Sequence, residues 1–236
     1  MHSFDPDFYT SEFAQNNMMG PNSLRIIDEL LDNYKFEKGI RILDLGCGRG
    51  LTSIFLAQKY NVTVFAVDLW IEATENYERF KSISLEEKII PIHADAHELP
   101  FANEYFDAVV SIDSYHYYGC EPDYLSKHLI PLVKISGKIF IGIPGLQKEF
   151  SNGIPEELVP FWENDMNFHS CGWWINLWAN ESAVKIDECH EMKCMKEAWA
   201  DWLMCKNEYA ERDIEMMKAE GGKYFNLVGI KATKIK

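Results

Sequence analysis

Three glycines, Gly46, Gly48 and Gly50, alternate directly behind the apolar run ILDL, with the carboxylate of Asp44 two residues ahead of the first. Glycine lets a backbone turn tightly and approach a ligand closely, because no Cβ intervenes. Free N–H groups at the start of a following helix then hold an anion such as a carboxylate or phosphate. A dinucleotide fingerprint needs G-x-G-x-x-G/A, whereas the spacing here is G-x-G-x-G and the next required position is Leu51. Asp44 would repel a pyrophosphate and suit an ammonium. The pattern therefore fits a ligand carrying both a carboxylate and an ammonium near an adenosine. Asp68, 18 residues after Gly50, is placed to accept bonds from two ribose hydroxyls.

A second group, Asp113-Ser114-Tyr115-His116-Tyr117-Tyr118, follows another apolar run. A neutral imidazole titrates near working pH, so His116 is the first candidate for a general base, with Asp113 and Tyr117 beside it as catalytic candidates. Tyr115 and Tyr118 are expected to border a substrate. A third group, HSCGWWINLW, gathers Trp173, Trp174 and Trp178 behind His169. If 173–183 is helical, Trp174 and Trp178 share one face and Trp173 and Leu177 a neighbouring one. These rings either pin the segment to the core, or form a wall for a cationic or flat acceptor together with His169, Trp173 and Trp174. His93 and His97 flank Asp95, and no spacing supplies three or four convergent ligands, so no metal is expected.

These groups need elements to hold them. From residue 40, short apolar runs (IRILDLG, VTVFAVD, IIPIHAD, FDAVVSID, KIFIGIP) alternate with helical stretches near 50–60, 72–81 and 122–134. Continuous apolar strands separated by helices indicate an α/β fold with a parallel sheet covered on both faces. Ser23 is the expected N-cap of an earlier helix. A further strand over KIDECHEMKCM, a helix near 198–219 and the strand YFNLVGIKATK close the pattern, leaving 145–183 as an insertion.

The length of 236 residues fits one domain, 1–236, and the net charge of −14 disfavours a nucleic-acid partner. The acidic start and the lack of a long apolar run predict no secretory leader, no membrane partner and a cytoplasmic location. Six scattered cysteines without a C-x-x-C pair are expected to be reduced and mostly buried.

Taken in order, ILDLGCGRG, the acid of VFAVD, DAHELPF, FDAVVSIDSYHYY and GKIFIGIP make the chain resemble the class I S-adenosylmethionine-dependent methyltransferases. The likeness is to their small-molecule branch, which includes the C-methylases of quinone synthesis, and it covers about 40–144. One departure is that the family's Pro-Gly-Gly before the fifth strand reads Ile135-Ser136-Gly137. The resemblance implies a Rossmann-like, doubly wound, seven-stranded and mostly parallel sheet with a C-terminal antiparallel strand, plus a small substrate lid. The lid would combine 1–22 and 145–183. Asp44, Gly46, Cys47, Gly48 and Gly50 would hold the methionine part of S-adenosylmethionine, and Asp68 the ribose. Leu69, Trp70, Ile71, Asp95, Ala96 and His97 would surround the adenine, and Asp113 would border the sulfonium. The implied partner is a small-molecule methyl acceptor, an amine or an aromatic, and oligomeric state stays open. Methylation of protein or RNA, a nicotinamide-dependent oxidoreductase and a non-catalytic S-adenosylmethionine-binding protein are the rival readings.

Overall fold

The computed structural model describes residues 4–236. Its strands are β1 (Arg41–Leu45), β2 (Thr63–Asp68), β3 (Ile89–His93), β4 (Phe106–Ile112), β5 (Val133–Leu146), β6 (Val184–Glu191) and β7 (Phe225–Lys234). They form one seven-stranded sheet in the order β3-β2-β1-β4-β5-β7-β6, with β7 antiparallel to both neighbours and the other pairs parallel. This is the doubly wound, mostly parallel architecture expected above. The strand order reverses between β1 and β4, and such a switch point opens a crevice at the carboxyl ends of the strands.

The helices are α1 (Glu12–Asn17), α2 (Ser23–Leu30), α3 (Leu51–Tyr60), α4 (Ala73–Ser82), α5 (Cys171–Trp178), α6 (Met195–Leu203) and α7 (Glu208–Glu220). Successive strand residues point to opposite faces, and both faces are buried. Ile42, Val64 and Val110 enter a core shared with α2, α3 and α6, whereas Leu43, Val67 and Val109 enter one shared with Tyr115, Trp174 and Trp178.

Several boundaries differ from expectation for local reasons. Asn22, not Ser23, caps α2, its Oδ1 accepting the Leu24 N–H at 3.1 Å. The helix expected at 122–134 is a short π-helix, Leu125–Leu129, running into a 3-10 turn, Ile130–Leu132. Pro131 has no N–H to continue the ladder, and β5 starts two residues later. At the departure from Pro-Gly-Gly, Ser136 takes φ +67°, where glycine would be free of strain. The helix expected at 173–183 is α5, which starts and ends earlier. The single helix expected at 198–219 is broken into α6 and α7, because Asn207 caps a new start by accepting the Ala210 N–H at 2.9 Å.

The segment before α2 is fastened to α6. The Asn22 side chain donates to the Tyr9 carbonyl at 2.9 Å and to Asp201 at 2.7 Å, and Arg25 pairs with the same Asp201. All six cysteines are free, with Cys47 and Cys205 buried and the other four only partly so. Among the described residues no helix is long and apolar enough to cross a membrane.

Candidate functional site

The β1–α3 turn has the conformation its glycines permit. Gly46, Gly48 and Gly50 take φ of +71°, +52° and +80°. A Cβ on Gly46 would lie 1.8 Å from Ser114 Oγ, and one on Gly50 would lie 2.4 Å from the Phe80 ring. No side chain caps the start of α3, so its first N–H groups remain available to a ligand.

Asp44 and Gly50 do not line the cavity, which corrects the expected contact between Asp44 and the ligand. Asp44 is fully buried, and its Oδ2 accepts from Thr52 at 2.6 Å and Ser53 at 2.5 Å. It stitches the end of β1 to the first turn of α3, while Oδ1 has no partner among the described residues. Burial pushes its carboxyl up to about 6 against the opposing effect of the two hydroxyls.

In front of the turn lies a cavity of about 260 Å³, closed on one side by Met18–Pro21. Gly46, Cys47 and Gly48 form its floor, Asp68, Leu69 and Trp70 one wall, and Asp95, Ala96 and His97 another. Asp68 accepts from Gly48 N at 2.7 Å, Trp70 N at 2.8 Å and Ile71 N at 3.0 Å. A carboxylate offers about four acceptor sites, so one is left for a ligand hydroxyl rather than two. Ile71 is outside the wall. The Asp95 Oδ1 caps its own turn, meeting both the His97 N–H and the His97 Nδ1 at 2.8 Å, and Oδ2 has no partner among the described residues. This pairing and the His97 imidazole hold the carboxyl of Asp95 below its ordinary value. His93 lies outside the cavity and meets the Leu69 carbonyl at 2.8 Å.

A larger cavity, about 840 Å³, abuts the first and shares Met19, Gly20, Trp70, Asp113 and Tyr117 with it. Its other walls are Phe161–Phe168 of the insertion and Trp199, Trp202, Tyr209 and Asp213 of α6 and α7. Asp113 stands at the junction with φ +55°, and a Cβ on Gly20 would lie 2.0 Å from its Oδ2. Burial first, and the charge of Asp213 second, raise its carboxyl well above the usual range. His116 borders the same cavity, 2% exposed, with Nδ1 unpartnered among the described residues. Burial lowers its imidazole to about 3, so it is neutral at any working pH.

The remaining expectations need correction. Tyr115 is fully buried and reaches neither cavity; its ring packs on Trp174 and Trp178 at 5.7 and 5.9 Å between centroids. Tyr118 lines the smaller cavity, its hydroxyl near Ser111 at 3.1 Å and Ser114 at 3.2 Å. His169, Trp173 and Trp174 line neither cavity. His169 is held by Glu149 at 3.0 Å and stacks on Trp173 at 3.7 Å, behind the sheet. The tryptophan run is thus an anchor, and only the earlier part of the insertion faces the larger cavity.

Sequence reasoning expected one helix near 198–219 but missed that α6 and α7 supply much of that cavity. The available signal was the apolar face of MKEAWADWL, which resembles any core helix. Among the described residues no cluster of His, Cys, Asp and Glu suits a metal.

Residues 42–134 match a family model described as a methyltransferase domain. The chain is 30% identical over 94 residues to the 27-O-demethylrifamycin SV methyltransferase of Amycolatopsis mediterranei, covering 39% of this chain and 35% of that one. It spans about a third of the length of the first curated relatives it matches. Phosphoethanolamine N-methyltransferase 2 of Haemonchus contortus, solved with S-adenosyl-L-methionine, superposes at TM-score 0.73 with 20% identity, over 97% of this chain and 56% of that one. The [4+2]-cyclase SpnF superposes at TM-score 0.71 with 14% identity, over 97% and 94%. At these identities both structures share the fold alone.

Proposed function

We propose that this chain transfers a methyl group from S-adenosylmethionine to a small molecule, a reading supported by the match of residues 42–134 to a methyltransferase-domain model. The observation that carries the reading is the pair of abutting cavities with Asp113 between them, one floored by the glycine turn and the other walled by the insertion, α6 and α7. Two features suit the donor: the left-handed cradle that side chains would fill, and the acceptor sites left open on Asp68 and Asp95.

In this reading the turn from Gly46 to Gly48, Cys47 included, packs against the methionine part, whose carboxylate meets the uncapped N–H groups at the start of α3, and Asp68 takes one ribose hydroxyl. Asp95 accepts from the adenine amino group, while Leu69, Trp70, Ala96 and His97 pack around the ring. Asp113 borders the reacting centre. The sulfonium brings an already activated methyl group, so the protein contributes mainly alignment, worth roughly 7 to 11 kcal/mol when two reactants are held in register. His116 and Tyr117 face the acceptor. A neutral His116 offers a lone pair, although its burial disfavours holding a proton, and this ranks Asp113 above it as the group that receives one. Residues 4–22 and 145–168 act as the lid that excludes water; residues 1–3 of the expected lid lie outside the described residues. The free thiols suit a reducing compartment, and we place the protein in the cytoplasm on that ground.

The fold alone does not fix the reaction. Calorimetry with S-adenosylhomocysteine, and mass spectrometry of a metabolite extract incubated with enzyme and S-adenosylmethionine, test the reading. Binding, its weakening by at least about tenfold in Asp68→Ala, and a small product heavier by one methyl group are expected. Failure to bind S-adenosylhomocysteine would sink it, and turnover without S-adenosylhomocysteine release would point to a cyclase-like activity.

A further inference from the structure

The larger cavity is acidic as well as aromatic. Asp113 and Asp213 lie on its wall, and Glu163, Asp165 and Glu208 stand at its rim, against two arginines. Both arginines are engaged: Arg212 pairs with Glu163, and Arg49 donates to the Asn16 carbonyl at 2.9 Å. Among the described residues no hydrogen bond reaches the Asp113 carboxylate, and Asp213 accepts one, from the Trp202 indole at 2.8 Å. Most acceptor sites of the two carboxylates are therefore empty.

An independent observation points to a ligand in the same space. His116 and Trp199, 2% and 4% exposed, both border this cavity, and His116 Nδ1 and Trp199 Nε1 have no partner among the described residues. Buried polar atoms are normally satisfied, so a molecule with its own polar groups belongs beside them.

On the premise of methyl transfer, we propose that the acceptor is an organic cation, an ammonium on an apolar or aromatic body, with its nitrogen held by Asp113 and Asp213 and its body against Trp199, Phe168 and Tyr117. An acidic acceptor would meet like charge on the wall and rim, which acts against it. A neutral phenol or alcohol would give two carboxyl groups that burial pushes toward the protonated form no counter-charge to keep them ionised. A cation satisfies both and also meets aromatic faces, which attract positive charge. Asp213 is thereby a specificity-determining residue, fixed in place by the Trp202 N–H.

The chemistry balances without a further reactant. The ammonium loses one proton to the Asp113 carboxylate, and the freed nitrogen lone pair forms the new N–C bond. As it forms, the C–S bond breaks and its electron pair returns to sulfur, leaving a methylated ammonium, a thioether and one proton that Asp113 passes to solvent.

Three probes of one shape test this on the full chain saturated with S-adenosylhomocysteine: phenethylammonium, 2-phenylethanol and phenylacetate, with affinities read by calorimetry. Phenethylammonium should bind at least about tenfold more tightly than either of the others. Asp213→Asn should remove most of that margin and leave S-adenosylhomocysteine affinity unchanged. The wild-type comparison stands by itself should the variant fail to fold. Equal or tighter binding of the alcohol or the carboxylate, or no binding of any probe, overturns the inference. Loss of S-adenosylhomocysteine binding to the wild-type chain would instead overturn the methyl-transfer reading.

Discussion

Two sets of tryptophans divide the molecule's aromatic surface. Trp173, Trp174 and Trp178 are close together in sequence and serve one short helix, α5, whose buried face packs on Tyr115 behind the sheet. Trp70, Trp199 and Trp202 come from the loop after β2 and from α6, and they meet around a cavity at the carboxyl ends of the strands. Density along the chain marks a helix being glued down, because neighbouring turns of one helix bury against one surface. A ligand needs walls from several directions, and separate segments must supply them.

The largest expected effect tests the anchoring set. Trp174→Ala should destabilise the fold by about 3 to 5 kcal/mol in chemical denaturation, as other buried Trp truncations do, with S-adenosylhomocysteine affinity of the folded fraction unchanged. A near-normal stability with weakened ligand binding would erase the distinction between the two sets.

Next comes the acid limb of stability. The folded pKa of His116, about 3, lies below its ordinary 6.5, so its contribution is fully present above about 6.5 and is lost as pH falls toward 3. His116→Asn should therefore flatten the fall in stability across that window, by an amount on the order of a few kcal/mol at its acid end. Melting temperatures measured from neutral to acid pH would reveal it, and parallel curves for the two proteins would refute it.

Trp199→Phe keeps an aromatic face but removes the unpartnered N–H and part of a buried indole, so stability should fall by about 1 to 2 kcal/mol, and the acceptor KM should change by a few fold, about 1 kcal/mol. Steady-state kinetics with the acceptor separates that from a change in kcat. Smallest in stability terms is Trp70→Ala. With Trp70 65% exposed, unfolding free energy should move by no more than about 0.5 kcal/mol, while S-adenosylhomocysteine affinity drops several fold. A large loss of stability there would place Trp70 with the anchors.

The half of the molecule that was legible in the sequence is the half where neighbours in the chain are neighbours in space. The apolar runs and the glycine turn identify β1 to β4 and put Asp68, Asp95 and Asp113 at one edge, since each lies at or within two residues of the end of its strand. Asp44 misled because strand alternation, not the glycine motif, decides which way a strand-end side chain points. It turned under α3. The cavity walls from α6 and α7 were invisible because no glycine or proline marks the break at Met204–Asn207, and the helical rhythm runs on across it. Which face of those helices meets Met18–Pro21 depends on long-range contacts such as Asn22 with Asp201, and no local pattern encodes them.

The strand order also constrains how the protein is born. β6 sits at the sheet edge and is joined to the rest only through β7, which pairs between it and β5. On a ribosome, residues up to β5 can assemble a parallel sheet around the glycine turn while β6 still has no edge to dock on, and α6 can already meet α2 through Asn22 and Asp201. The cavity wall from α6 and α7 therefore forms after the glycine turn, and the edge strand β6 settles last, once β7 emerges.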